Sequence, residues 1–293
     1  MTEPAGLPPP PPEGVSAIPP GTFAGRVVAV TGGGTGLGRA IGVEFARLGA
    51  AVAILSRDPA HHEAGISAVE AAGGHAVAVA CDIRDPEQVA AAFDAVEENL
   101  GLPEVLVNNA AGNFPVPAED LSPNGWRAVV GIVLDGTFHM SREFGRRHIA
   151  AGTPGSIINV GASYAWTGGP GFAHSAAAKA GVKNLTETLA VEWAPYGIRV
   201  NGLVPGLFPH EDEVEQIRGV PGRGSNENVN VPALRVGQPR ELGWAATFLA
   251  SPYAAYITGA TLTVDGANWQ RRNMMQPPFR PVREQLGKEP FSL

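Results

Sequence analysis

The chain has 293 residues, 44% hydrophobic and 17% charged, which supplies one large buried core and excludes a chain without folded structure. Its net charge of −7 gives no electrostatic basis for holding a polyanion, so nucleic acid is not an expected partner. The single cysteine, Cys81, excludes an intramolecular disulfide and, lying in an apolar run, reads as buried packing.

Residues 1–21 are proline-rich and lack both a basic n-region and an apolar h-region, so they are expected to form a disordered, polyproline-like tail rather than a signal peptide. No later stretch approaches the roughly 20 apolar residues a membrane helix needs, so no membrane partner is expected. The final Phe-Ser-Leu lacks the basic residue of a peroxisomal Ser-Lys-Leu address, and the expected location is the cytoplasm.

From residue 22 onward short apolar runs alternate with longer helical stretches. Residues 26–31, 51–56, 76–81, 105–108, 156–160, 199–204 and 261–264 read as strands, each too continuous in Ala, Val and Ile to leave a wet face, as in parallel sheets covered on both sides. The first helical stretch carries Leu37, Ile41, Phe45 and Leu48 at helical spacing and ends at Gly49. Two longer helices are expected over 125–150 and 171–194. This rhythm predicts one α/β domain over 22–267: a Rossmann-type, doubly wound parallel sheet of about seven strands with helices on both faces. Two regions break it. Residues 207–236, rich in Gly, Pro, Asn and charge, read as a substrate lid or loop. Residues 268–293 form a C-terminal extension holding Arg271, Arg272, Arg280 and Arg283, either a disordered tail or an arm on a neighbouring subunit; Phe279 and Phe291 favour packing.

Thr31-Gly-Gly-Gly-Thr-Gly-Leu-Gly38 follows the first strand and opens the first helix. Its glycines let backbone approach a pyrophosphate at the positive end of the helix, so Gly32, Thr35, Gly36, Leu37 and Gly38 are candidate nucleotide contacts. Ser56 and Arg57 stand at the end of the second strand, where NAD-specific sites place an acid. A guanidinium there forks onto a 2′-phosphate, which points to NADP(H); Asp58, next along, keeps NAD(H) as the alternative.

These residues bring the chain to a family: over roughly 25–266 it resembles the short-chain dehydrogenases/reductases. Asp82, with Ile83, matches the family's aspartate near adenine; Asn108-Asn109-Ala110-Ala111-Gly112 matches its strand-end motif; Pro205-Gly206, with Leu207 and Phe208, follows the sixth strand. The resemblance implies that Asp82, Ile83, Asn109, Ala110 and 205–208 contact the cofactor. It also implies a Tyr-x-x-x-Lys pair aided by an upstream serine, and here the chain departs from the pattern. The lysine is Lys179, but Ser175 stands where the tyrosine belongs, Ala162 at the serine position and Val133 at an asparagine position. An aliphatic hydroxyl is too weak an acid to replace a phenol, so ordinary ketone reduction is disfavoured.

One subgroup shares this departure. The chain is similar to the 2,4-dienoyl-CoA reductases, through Asn113-Phe114 after the strand-end motif, Cys81-Asp-Ile-Arg-Asp-Pro86, Ser175, and Tyr164, fifteen residues before Lys179. The resemblance implies substrate contacts from Arg84, Asn113 and Phe114, an acyl-CoA substrate, and a displaced Tyr164 that donates to the thioester oxygen while Lys179 orients the nicotinamide ribose. Asp135 occupies the position of a subgroup asparagine and is either catalytic, if protonated or water-bound, or a helix residue bonded to nearby backbone. Ser175 is either a catalytic partner or a packing serine. His174 and the His61-His62 pair have no metal-ligand spacing, and no metal is expected. The segment 174–193 also resembles trans-2-enoyl-CoA reductases; a carbonyl or 3-oxoacyl reductase and a catalytically silent NADP-binding sensor or scaffold are further alternatives. Family analogy implies a homotetramer built on the two long helices.

Overall fold

Alternating side chains of β1 (Val27–Thr31) feed two separate cores. Val28 and Val30 join Phe23, Ile41, Phe45, Leu242 and Leu249 on one side of the sheet, whereas Val27 and Ala29 join Phe93, Met140, Phe144 and Leu189 on the other. A strand with both faces covered has no place for a polar alternation, which is why these runs read as continuous Val and Ala. The remaining strands are β2 (Ala51–Ser56), β3 (His75–Ala80), β4 (Val105–Asn108), β5 (Gly155–Val160), β6 (Ile198–Pro205) and β7 (Thr261–Val264). All pair in parallel in the order β3-β2-β1-β4-β5-β6-β7, each within a residue or so of its predicted bounds. The chain direction across the sheet reverses between β1 and β4, and the crevice at their carboxyl ends is where ligands bind in such sheets. This structure, a computed structural model, describes residues 6–210, 231–270 and 281–288.

Helices α1 (Gly36–Arg47), α2 (Ala60–Ala71) and α8 (Pro239–Ala250) cover one face of the sheet; α3 (Pro86–Leu100), α5 (Gly136–Ala151) and α7 (Ala173–Trp193) cover the other. The chain leaves α1 through Leu48 and then Gly49 at φ +95°, a conformation that favours glycine. Cys81 is a buried free thiol whose pKa burial pushes up to about 11. The helix expected over 125–150 is instead α4 (Pro123–Val130) followed by a π turn, Gly131–Asp135, before α5. Thr137 Oγ1 bonds the Val133 carbonyl at 2.7 Å within this widened stretch, a local competition that hydrophobic spacing does not report. No helix of the described residues is long and apolar enough to cross a membrane.

The proline-rich segment, expected to be a disordered tail, lies against the body where it is described. Leu7 N donates to Ala233 O at 2.9 Å, and the Arg235 and Arg240 side chains donate to the Pro8 and Pro11 carbonyls at 3.0 and 3.1 Å. Prolines cannot donate but still accept, so arginines can bind such a segment without secondary structure. Within the expected lid over 207–236, residues 211–230 lie outside the described residues, as do Arg271, Arg272, Phe279, Arg280 and Phe291 of the C-terminal extension. The rest of that extension includes α9 (Val282–Gln285), which packs on this same chain.

Candidate active site

The glycine-rich turn joins β1 to α1 at the reversal point of the sheet. Gly32 and Gly36 take φ of +65° and +49°, and a Cβ on Gly38 would stand 2.3 Å from Gly32 O and 2.4 Å from Asn109 Nδ2. No side chain fits there, and the result is a backbone cradle at a helix N-terminus, with the shape and polarity a diphosphate requires. Thr31 fastens the cradle to β4: its Oγ1 accepts from Asn109 N and Ala110 N, both at 2.9 Å, while Asn109 Nδ2 donates to Thr31 O at 3.1 Å. Asn108 lies beneath, donating to Ser141 Oγ at 3.0 Å and Asn159 Oδ1 at 2.9 Å. Sequence reasoning missed His210, whose ring lies 3.0 to 3.3 Å from where a Gly36 Cβ would be. It follows Pro205-Gly206 by a few residues, and nothing in its spacing pairs it with a turn far earlier in the chain.

At the end of β2 Ser56 is buried, and Arg57 and Asp58 are exposed. Asp58 Oδ1 accepts the amide of Ala60 at 2.9 Å, so this carboxylate is engaged at the start of α2. Asp82 and Arg84, read as a cofactor residue and a substrate residue, form one unit, with Arg84 Nε donating to Asp82 Oδ1 at 2.9 Å and an Arg84 terminal nitrogen to Oδ2 at 2.5 Å. The bound Arg84 guanidinium holds the Asp82 carboxyl below the usual carboxylate range, and Arg57 acts in the same direction. The Arg57–Asp82–Arg84 group thus carries two cationic side chains around one carboxylate.

The reacting end is made of side chains. The short α6 (Tyr164–Thr167) brings half-buried Tyr164 to the first turn of α7, where its hydroxyl lies 3.0 Å from buried Ser175 Oγ. The Tyr164 ring stacks beside Phe172 at 6.5 Å between centroids. One turn further along α7, Lys179 is buried and donates to Val160 O at 2.5 Å. Burial pushes its pKa down to about 8, which leaves the ammonium the main form at neutral pH and ready to lose its proton a little above it. His174 is wholly buried against Phe114, edge to face at 4.6 Å, and burial lowers its pKa and favours the neutral ring. Asn113 Oδ1 accepts from Phe114 N at 3.0 Å, shaping the loop that presents this wall.

The structure therefore brings together Tyr164, Ser175, Lys179 and Phe114 around α7, and gathers Gly32, Gly36, Gly38, Asn109 and Ala110 at the cradle. Asp135 is not among them; it is exposed on the π turn. Val133, at the family's asparagine position, is buried against Ala178 and Val182. Phe208 is packed in the core, where a Cβ on Gly237 would meet its ring at 2.3 Å, and Gly206 N donates to Val264 O at 2.9 Å. A cavity of about 360 Å³ opens between the ends of β6 and β7, lined by Leu207, Phe208, Val231 and Asp265; none of Tyr164, Ser175 and Lys179 lines it. Among the described residues no group of three or more His, Cys, Asp or Glu is arranged to hold a metal ion.

The doubly wound α/β sheet is that of an oxidoreductase, as the family and relatives it matches show. The chain belongs to the short-chain dehydrogenase/reductase family: the family model described as Enoyl-(Acyl carrier protein) reductase matches residues 32–267. Among curated relatives it is 41% identical to a probable 2,4-dienoyl-CoA reductase [(2E)-enoyl-CoA-producing] of Bacillus subtilis (strain 168), covering 83% of this chain and 96% of that one. Among solved structures, a short chain dehydrogenase from Bacillus anthracis is 41% identical with a TM-score of 0.76, covering 87% of this chain and 99% of the other. A gluconate 5-dehydrogenase from Burkholderia cenocepacia in complex with NADP and tartrate is 33% identical with a TM-score of 0.78, over 85% and 97% of the two chains.

Proposed function

We propose that the protein is an NADPH-dependent reductase that saturates a C=C bond conjugated to the thioester of an acyl-CoA, with a 2,4-dienoyl-CoA as substrate. The observation that carries this reading is the 3.0 Å contact between Tyr164 and Ser175 above a buried Lys179. A phenol has been restored to the reacting end from a different place in the chain, while Ala162 and Val133 leave out the usual helpers of ketone reduction.

The residues of the cradle would hold the diphosphate, Arg57 the 2′-phosphate, and Lys179 the nicotinamide ribose; reduced nicotinamide supplies the hydride when bound. In reduction of a conjugated thioester the hydride adds to carbon, negative charge develops on the thioester oxygen, away from the attacked carbon, and a proton from solvent then adds to carbon to complete the reduction. Tyr164 is the donor for that oxygen, with Ser175 fixing the hydroxyl's direction. The Lys179 ammonium stabilises the developing charge at one remove. Phe114, held by His174, walls the acyl chain, and Arg84 meets the phosphates of CoA. Asp135, exposed on the π turn, is given no role in this reading. NADP(H) is supported over NAD(H) by the engagement of Asp58 at α2 and by the exposed Arg57 at the end of β2.

NADPH oxidation measured with 2,4-dienoyl-CoA, crotonyl-CoA and a panel of ketones tests the assignment. Turnover is expected with the dienoyl thioester. Reduction of ketones alone would replace this reading with that of a carbonyl reductase, and tight NADPH binding without any turnover with that of a sensor.

A further inference from the structure

Helix α9 stands outside the doubly wound sheet, at the rim of the reacting end. Arg283 Nε donates to Glu119 Oε1 at 3.2 Å, and an Arg283 terminal nitrogen donates to Asp120 Oδ1. Both acids lie in the turn Ala118–Asp120, which continues the loop carrying Asn113 and Phe114. Only 15% of the Arg283 side chain is exposed, although α9 is a surface helix. Val282 and Leu286, one turn apart, face a second loop: a Cβ on Gly171 would stand 3.6 Å from Val282 Cγ1 and 3.7 Å from Leu286 Cδ1. That loop joins Tyr164 to α7, and Gly171 O accepts from Val116 N at 2.8 Å, so the two loops are also bonded to each other.

We propose that α9 is a specificity element of the acyl site, in which Val282 and Leu286 form an outer apolar wall for the acyl chain and Arg283 is the positioning residue that fastens the wall through Glu119 and Asp120. The inference rests on the acyl-thioester reading above. A helix of four residues does not hold its shape in water unaided, so its place depends on what anchors it. Two apolar side chains supply part of that anchor, and a guanidinium shared between two carboxylates supplies the rest with direction. The chain beyond the thioester is the part of such a substrate that reaches a rim of this kind. A long acyl chain therefore gains from the wall and a short one does not. Because Glu119 is exposed, the ionic part of the fastening weakens as salt rises.

The test uses the full chain and two readouts. Hydrogen exchange in the unliganded protein reports the fastening without any substrate: Arg283→Glu is expected to speed exchange of the amides that close α9, those of Gln285 and of the capping Leu286, by about tenfold, and about 0.5 M NaCl is expected to do the same in part to the unaltered protein. Steady-state kinetics report the wall: the same substitution is expected to raise KM for a decadienoyl-CoA about tenfold while KM for a hexadienoyl-CoA, kcat and NADPH affinity stay within about twofold. Adding Glu119→Arg and Asp120→Arg to Arg283→Glu is expected to restore both. Unchanged exchange in α9, an equal rise in KM for both chain lengths, or failure of the charge swap in a protein that still binds NADPH would overturn the proposal. If exchange responds as expected while no acyl-CoA is reduced by the unaltered protein, the substrate reading falls, and the wall with it, and only the ionic anchor survives.

Discussion

At the glycine cradle the walls are made by backbone, with Gly38, whose added Cβ would strike Gly32 O and Asn109 Nδ2, and amides that converge on Thr31. At the reacting end they are made by side chains from separate elements, Tyr164 from α6, Ser175 and Lys179 from α7 and Phe114 from the loop after β4. The first end allows few substitutions, because nothing larger than glycine fits. The second accommodates rearrangement, since any chain position that delivers a phenol to the same place will serve.

On the proposed reading Lys179 serves both ends, and its loss should have the largest effect. Lys179→Met is expected to lower turnover on the order of 10³-fold. The same change should make the fold more stable at neutral pH by on the order of 1–3 kcal/mol, because it removes a buried ammonium whose pKa lies well below that of the unfolded chain. The sign follows from burial favouring the neutral amine: the native state is penalised below pH 8 and the penalty is relieved as pH rises from about 8 toward the ordinary lysine range. Thermal melts of both proteins across that range check this, with the difference between them shrinking as pH rises. For the same reason kcat/KM of the unaltered protein should fall as pH climbs through about 8, toward a tenfold loss per unit beyond it, as the ammonium deprotonates.

At the nucleotide end the matching change is Arg57→Asp. It should shift the NADPH/NADH preference by about 10- to 100-fold toward NADH, read as the ratio of kcat/KM values, since it removes one fork for a 2′-phosphate and adds a repelling charge. An unaltered ratio would place the 2′-phosphate elsewhere. Ser175→Ala should have the smallest effect, about tenfold in kcat with KM nearly unchanged, because it removes a partner that directs the Tyr164 hydroxyl rather than the donor itself.

The same contrast explains what could be read from the amino acids. The seven strands, their parallel pairing and the glycine cradle were legible because each is local: continuous Val and Ala runs, a glycine turn between strand and helix. Tyr164 and Ser175 were legible only through family resemblance, since they lie eleven residues apart at no periodic spacing; their contact depends on α6 folding back onto α7. Asp135, at the position of a subgroup asparagine, read either as catalytic or as a helix residue; its place on an exposed π turn is an irregularity that hydrophobic spacing does not report. The Asp82–Arg84 pair, the His210 ring over Gly36 and the grip of Arg283 on Glu119 and Asp120 depend on side-chain direction or on partners far along the chain, and no pattern of hydrophobic residues encodes them.

Tyr164→Phe removes the proposed donor alone, with turnover of a 2,4-dienoyl-CoA and the dissociation constant for NADPH measured on the same preparation. Turnover about 10²-fold lower with nucleotide affinity unchanged is expected, as for removal of a single donor to a developing oxyanion. Turnover equal to that of the unaltered protein would contradict that role.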